Sequence, residues 1–307
     1  LIVSKRLRRY SVRANNSITL PDFFSNRFRE KNKVIMSLAA LFILIFFTVY
    51  AGSCFVTCGK LFSSLFGASY QSMMILGAIF VLVYTILGGF LAESASDFMQ
   101  GVVMIVALTV IVVVSTINAG GLGAVMENAK SIPGFFEFFG IANPTVGVEG
   151  AQLVEAGKPV FGAASEYGIL RICSMMAWGL GYFGMPQVLL RFMAIRKEEE
   201  LKSSRRIAMV WVVISLAVAV FIGIVGRALE PTTHLTSPDA ENIFITLTTS
   251  SLPPILAGFV MAGILAATIS SSDSYLLIAS SAVAKNIYQG IFKKNASDKK
   301  VMKVSRI

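Results

Sequence analysis

The stretch AATISSSDSYLLIASS, residues 266–281, closes a long apolar run. It places Thr268, four consecutive polar residues (Ser270, Ser271, Ser272, Asp273) and Ser274 where a buried helix would carry Leu and Val. Read as a helix, Ala267, Ser270, Ser271 and Ser274 follow i, i+3, i+4 and i+7 on one face, with Asp273 at its edge. Hydroxyl and carbonyl oxygens suit a small hard cation. Ser and Thr also bond back to their own helix carbonyls, an ordinary tactic in membranes. Back-bonding explains one or two serines more readily than four polar residues in a row. Asp273 is harder to absorb: an ionised carboxylate near a bilayer centre costs at least ~2.5–3.5 kcal/mol on insertion scales, so it faces a cavity, an ion or a partner.

The surrounding sequence is that of a membrane protein. Of 307 residues, 55% are hydrophobic and 14% charged, where a soluble domain carries about a quarter charged. Charge-free stretches run over 34–59, 61–92, 98–126, 172–190, 207–226 and 242–272, each close to or above the ~20 residues that carry an α-helix across a bilayer. We expect an all-α membrane protein, one transmembrane domain over 1–307, with six transmembrane helices near 34–57, 70–92, 98–118, 167–190, 207–228 and 252–285. The net charge of +10 invites a nucleic-acid reading, but its distribution excludes one. Segments 1–33, 191–206 and 285–307 hold 22 of the 27 Lys and Arg. The intervening loops 119–166 and 229–251 hold two Lys, no Arg and eight acidic residues. That asymmetry places 1–33, 191–206 and 286–307 in cytoplasmic loops beside anionic lipid and 119–166 outside, with both ends of the chain cytoplasmic. Cys54, Cys58 and Cys173 have no metal-like partners and read as small packing residues.

Local signals refine this outline. Segment 14–33 reads as a loop with a short amphipathic turn, Gly88-Gly89 as a tight approach or turn at the inner face, and Tyr50-Ala-Gly-Ser as a site of close helix contact. Segment 242–285 is too long for one crossing, so the part before Pro253-Pro254 should be a separate external helix. In WGLGYFGMP, residues 178–186, three glycines and a proline oppose a continuous helix. Backbone freed at membrane depth is tolerated only against protein or a wet cavity, and interrupted helices in transporters contact substrate in this way. A glycine-rich packing seam with interfacial aromatics is the plainer reading of the same residues. The chain starts with Leu, LIVSKRLRRY reads as the tail of an earlier helix and VMKVSRI as the approach to another, so an interior fragment of a longer transporter is expected.

YAGSCFVTCGKLF, YTILGGFLAESASDFMQ, MAWGLGYFGMPQVLLRFMAIR and GILAATISSSDSYLLIASSA, in that order and spacing, resemble the sodium:solute symporter family, and within it the bacterial sodium/proline symporters. The resemblance implies a five-plus-five inverted-repeat core, of which this chain would supply core helices three to eight, and sodium-coupled import of L-proline across the plasma membrane. It implies a sodium site from the Ala267 carbonyl and the Ser270 and Ser271 hydroxyls, and substrate contacts from Tyr50, Trp178, Tyr182 and Pro186. Asp97, with Ser270, Asp273 and Ser274 as counterparts, would form a second cation site. Asp273 departs from the family, where many relatives carry a hydroxyl, and would either strengthen that site or make it proton-linked. The helices that normally supply the remaining sodium carbonyls would lie outside the chain, which alone should not transport.

Other readings remain. Another small solute (pantothenate, a sugar or a different carboxylate) and a transporter-like sensor are open. An intramembrane aspartyl protease would need Asp97 and Asp273 at matched depth, whereas Asp97 reads as a loop-edge residue. We expect a transporter rather than an enzyme.

Overall fold

The structure is a computed structural model that describes residues 2–306. Helix α1 (Ile2–Arg13) and α2 (Leu20–Arg27) occupy the basic N-terminal segment that the sequence suggests is mostly loop. Thr19 caps α2 by accepting from Asp22 N at 3.3 Å, and Pro21 sits in the first turn, where its missing N–H costs nothing. Helix α3 (Val34–Phe66) follows. Its exposed N–H groups are met by Glu30, which accepts from Ile35 N at 2.5 Å and Met36 N at 3.3 Å. Burial acts to raise the Glu30 pKa, but these N–H donors outweigh it and hold the carboxyl below its ordinary value.

Helix α4 (Tyr70–Asn118) is two spans broken at Gly89, whose φ of 61° and ψ of −170° belong to no helix. The second span begins at Glu93, five residues earlier than hydropathy suggests, so Asp97 stands inside a helix rather than at a loop edge. After α5 (Leu122–Lys130), the external segment forms two small antiparallel pairs: β1 (Gly140–Ile141) with β4 (Ser165–Glu166), and β2 (Val154–Glu155) with β3 (Lys158–Pro159). Arg227 fastens this segment, stacking 5.6 Å over the Phe161 ring and donating to Gln152, which in turn donates to Val160 O at 2.9 Å.

The expected span 167–190 is divided. Helix α6 (Ile169–Tyr182) stops, Phe183-Gly184-Met185 form the link, and α7 (Pro186–Ala194) starts on its proline. Neither piece is long enough to cross by itself. Helix α8 (Glu200–Leu229) leads to the short α9 (Ser237–Ala240) and α10 (Ile243–Ser251). Leu252 turns extended ahead of the Pro253-Pro254 pair, and α11 (Pro254–Ser281) begins, which bears out the separate outer helix. Helix α11 runs on as a π-helix over Ala282–Phe292, and α12 (Asp298–Ser305) ends the described chain.

Among the described residues five helices are long and apolar enough to cross a membrane: Val34–Phe66, Tyr70–Leu91, Glu93–Asn118, Glu200–Leu229 and Pro254–Phe292. These correspond to five of the six expected spans; the sixth, 167–190, is the divided α6–α7 pair, neither piece of which is among them. Only 6% of the most apolar stretch of α8 is buried within the protein, against 39% for the α11 span. Most apolar side chains therefore face outward, as lipid-solvated helices do, and the serine-rich helix is the most buried of the five.

Two compact units are distinguishable: Leu1–Gln100, Leu180–Met209 and Leu265–Ile307 make one, Gly101–Gly179 and Val210–Ile264 the other. In the first, Phe47 of α3 packs with Ile278 and Ala279 of α11, α1 lies on α7 and α2 on α3. In the second, Ala107 and Ile111 of α4, Ile222 of α8, Leu247 of α10 and Ala257 and Val260 of α11 form the apolar centre. Gly263 makes that contact close: a Cβ there would stand 2.6 Å from Ala107 Cβ. Cys54, Cys58 and Cys173 are free thiols.

Gly89 gives a direct test of the break. A Cβ there meets nothing within 4 Å, so the penalty of Gly89→Ala is one of backbone alone, on the order of 1–3 kcal/mol. Gly101→Ala, at an open helical position, should instead stabilise by about 0.5–1 kcal/mol. Thermal unfolding of the two variants in detergent should shift in opposite directions.

Candidate cation and solute site

The polar face of α11 resolves into two groups of oxygens. Ser270 and Ser271 both donate to the Ala267 carbonyl oxygen, each at 3.1 Å. The three oxygens expected to ligate sodium thus converge within one turn. These are also the back-bonds that serines in membrane helices make. Ser272, by contrast, is wholly buried and donates to Thr268 O at 2.9 Å, which makes it a packing residue.

The second group gathers around Arg191. Ser274 Oγ donates to Glu93 Oε1 at 2.5 Å. A single guanidinium nitrogen, Arg191 Nη2, lies 3.0 Å from Glu93 Oε1, 2.6 Å from Asp97 Oδ2 and 3.0 Å from Ser274 Oγ. Glu93 and Asp97 are four apart at the start of the second α4 span and share a face. Asp273 is fully buried, and its Oδ1 accepts from Ser274 N at 2.7 Å. Among the described residues, Glu93 Oε2, Asp97 Oδ1 and Asp273 Oδ2 are buried and have no hydrogen-bond partner. Two carboxylates, Glu93 and Asp97, thus share one guanidinium. No group of three or more His, Cys, Asp or Glu among the described residues is arranged to hold a metal ion.

An aromatic wall stands one residue along. The Tyr275 ring lies 5.3 Å from Tyr50 and 5.5 Å, edge-on, from Phe47, and Tyr182 is close enough to interact electrostatically with Tyr275. Tyr50, expected to contact solute, is therefore packed against Tyr275. Trp178 sits four residues before Tyr182 on α6, and both are exposed, at 74% and 56%. Trp178 belongs to the second unit, and Pro186 opens α7 in the first.

Sequence reasoning missed Glu93, Arg191 and Tyr275. The signal for Glu93 was its spacing of four from Asp97 directly after a glycine pair. Arg191 was counted among the basic residues of the 191–206 loop, although it is the first charge after a long neutral run and lies inside α7. Tyr275 carried no signal beyond its place beside Ser274.

A multi-pass helical chain with one interrupted helix and a hydroxyl- and carboxylate-bearing helix in contact with it has the anatomy of a secondary transporter. The chain belongs to the Sodium:solute symporter family, which matches residues 1–307. It is 38% identical over 307 residues to the osmoregulated proline transporter OpuE of Bacillus subtilis, covering 100% of this chain and 58% of that relative. The high-affinity proline transporter PutP of the same organism is 37% identical over 308 residues, covering 100% and 60%. A sodium/proline symporter of Staphylococcus aureus (strain USA300) is 37% identical over 288 residues, covering 94% and 51%. The chain thus spans half to three fifths of the length of these relatives.

The Ser274 contact is open to test. Ser274→Ala removes a buried hydroxyl bonded to a carboxylate, and should lower stability by about 1.5–3 kcal/mol. Ser272→Ala, which loses only a back-bond within its own helix, should cost less than half of that in the same thermal assay.

Proposed function

We propose that the protein imports L-proline together with sodium, by alternating access in the plasma membrane, with its basic segments 1–33, 191–206 and 286–307 on the cytoplasmic side. The observation that carries the reading is the convergence of the Ala267, Ser270 and Ser271 oxygens on one turn of α11, in a chain similar over its whole length to proline transporters. Carbonyl and hydroxyl oxygens replace part of the water shell of sodium without adding a fixed charge, so the ion enters and leaves without the cost of separating a buried ion pair. Sodium at this point favours the outward-open form, in which Tyr50, Trp178 and Tyr182 offer aromatic faces to the solute and Pro186, where the broken helix resumes, adds a further contact. Asp97, Asp273 and Ser274 make a second cation position, to which Glu93 is added. The chain would form core helices three to eight of a five-plus-five repeat.

The driving force matches the task. One charge falling through 100 mV yields ~2.3 kcal/mol, which supports roughly 40–50-fold accumulation of solute. Labelled L-proline uptake into proteoliposomes holding the full-length protein should respond to an inward sodium gradient and not to potassium or a proton gradient. Ser271→Ala should raise the sodium concentration for half-maximal uptake on the order of tenfold, equivalent to about 1.4 kcal/mol. Tyr182→Ala should raise the KM for proline with a smaller effect on sodium. Uptake driven equally well by protons, or no proline uptake, would overturn the assignment.

A further inference from the structure

We propose that Arg191 is a tethered cation: its Nη2 occupies the point at which Glu93, Asp97 and Ser274 would otherwise bind a second sodium ion, so that the transporter couples to one sodium, the ion at Ala267, Ser270 and Ser271. The inference rests on the symporter reading and adds to it the identity of the second occupant.

Three observations point the same way. A guanidinium has five N–H donors in a planar fork and ordinarily grips a carboxylate with two of them. The contacts from Arg191 to Glu93, Asp97 and Ser274 instead all come from one nitrogen, at 2.6–3.0 Å, so three oxygens from two helices surround a single positively charged centre. That is the arrangement of ligands around an ion rather than of a fork on its partner. Second, the acids outnumber the cation. Glu93 is 4% exposed and Asp273 fully buried, yet each keeps a buried carboxylate oxygen without a partner among the described residues, as does Asp97. Removing Arg191 would leave the buried Glu93 and the half-buried Asp97 without their cation, a configuration that draws in a cation from solution. Third, Arg191 can leave without unravelling the fold: its side chain is 43% exposed and it stands near the end of the nine-residue helix α7. Five residues separate it from Pro186, where the broken helix resumes. Tilting of this short helix as solute binds would move the guanidinium relative to Asp97 and Ser274, giving the solute site a lever on the acid cluster.

Arg191 is a positioning residue, and the readout is the number of ions bound. Purified full-length protein is titrated with radiolabelled sodium in the absence of solute, and its Tm is followed against sodium concentration. Wild-type protein should bind about one sodium per chain. Arg191→Gln should bind about two, and the slope of its Tm against the logarithm of sodium concentration should about double, because each ion held only by the folded state adds its own linkage. Arg191→Lys, which keeps the charge on the tether, should return the count to one. Two sodium ions on the wild type, two on Arg191→Lys, or an unchanged count in folded Arg191→Gln would each overturn the proposal. If Arg191→Gln does not fold, the wild-type and Arg191→Lys counts decide. A wild type that binds no sodium and takes up no proline removes the symporter reading as well. A folded Arg191→Gln that still binds one ion removes only the tethered cation.

Discussion

Burying Glu93, Asp97 and Asp273 among apolar helices dictates what their neighbours must be. Each ionised carboxylate loses hydration that the surrounding Leu, Val and Ile side chains cannot replace, and a cation has to come within contact distance. Arg191 is that cation for Glu93 and Asp97, and a long positively charged side chain can reach them only if α7 arrives at the level of the second α4 span. Both helices are placed by interruptions. The break at Gly89 lies four residues before Glu93, where the second α4 span begins, and Glu93 and Asp97, four apart, leave it on one face. The link Phe183-Gly184-Met185 lets α7 set off from Pro186 independently of α6. Without the two breaks the charges would lie on helices with no reason to meet.

Interruptions at membrane depth carry their own requirement, since the freed N–H and C=O groups must be satisfied. At the α6–α7 link part of this is met locally: Phe183, Gly184 and Met185 donate to the carbonyls of Leu180, Gly181 and Tyr182, a tight turn that spends backbone donors on the immediately preceding residues. The proline at the start of α7 removes one donor that would have had no acceptor. The Met185 carbonyl in turn accepts from Val188 N and Leu189 N, both at 3.1 Å. On α11 the requirement is met differently: the helix stays continuous past Asp273, and hydroxyls rather than free carbonyls provide the polar surface, each already bonded within its own turn.

Much of this was legible in the residues. Apolar run lengths gave the number of spans, Pro253-Pro254 gave the separate α10, the three glycines and Pro186 gave the broken helix, and the i, i+3, i+4 spacing brought Ser270 and Ser271 onto the carbonyl of Ala267. The losses have a common cause. A hydropathy reading treats every charge as the edge of a membrane segment, so Glu93 and Asp97 became a loop and Arg191 a topology signal. Charges of opposite sign can be interior when they meet, and whether they meet depends on helices separated by about a hundred residues. Tyr275 was lost for a related reason: its role depends on Tyr50 and Phe47 of α3, a packing partner that no local pattern announces. The helices α1, α2 and α12 were hidden by polarity, because amphipathic surface helices owe their form to caps and to docking on longer helices rather than to an apolar run.

The two polar groups on α11 differ in a way that bears on how one helix could serve both ion and solute. Ser270, Ser271 and Ala267 present neutral oxygens, whose affinity for a cation is modest and easily reversed. Ser274 and Asp273 stand one turn further along and belong to a charged network with α4 and α7. A cation moving between the two positions would leave dipoles for full charges and would be held fast, unless the charged position already had an occupant. The Arg191 guanidinium, tethered to α7, is such an occupant beside Glu93, Asp97 and Ser274: a side chain cannot be released to either side of the membrane, so on the proposed reading a free ion would be confined to the neutral oxygens.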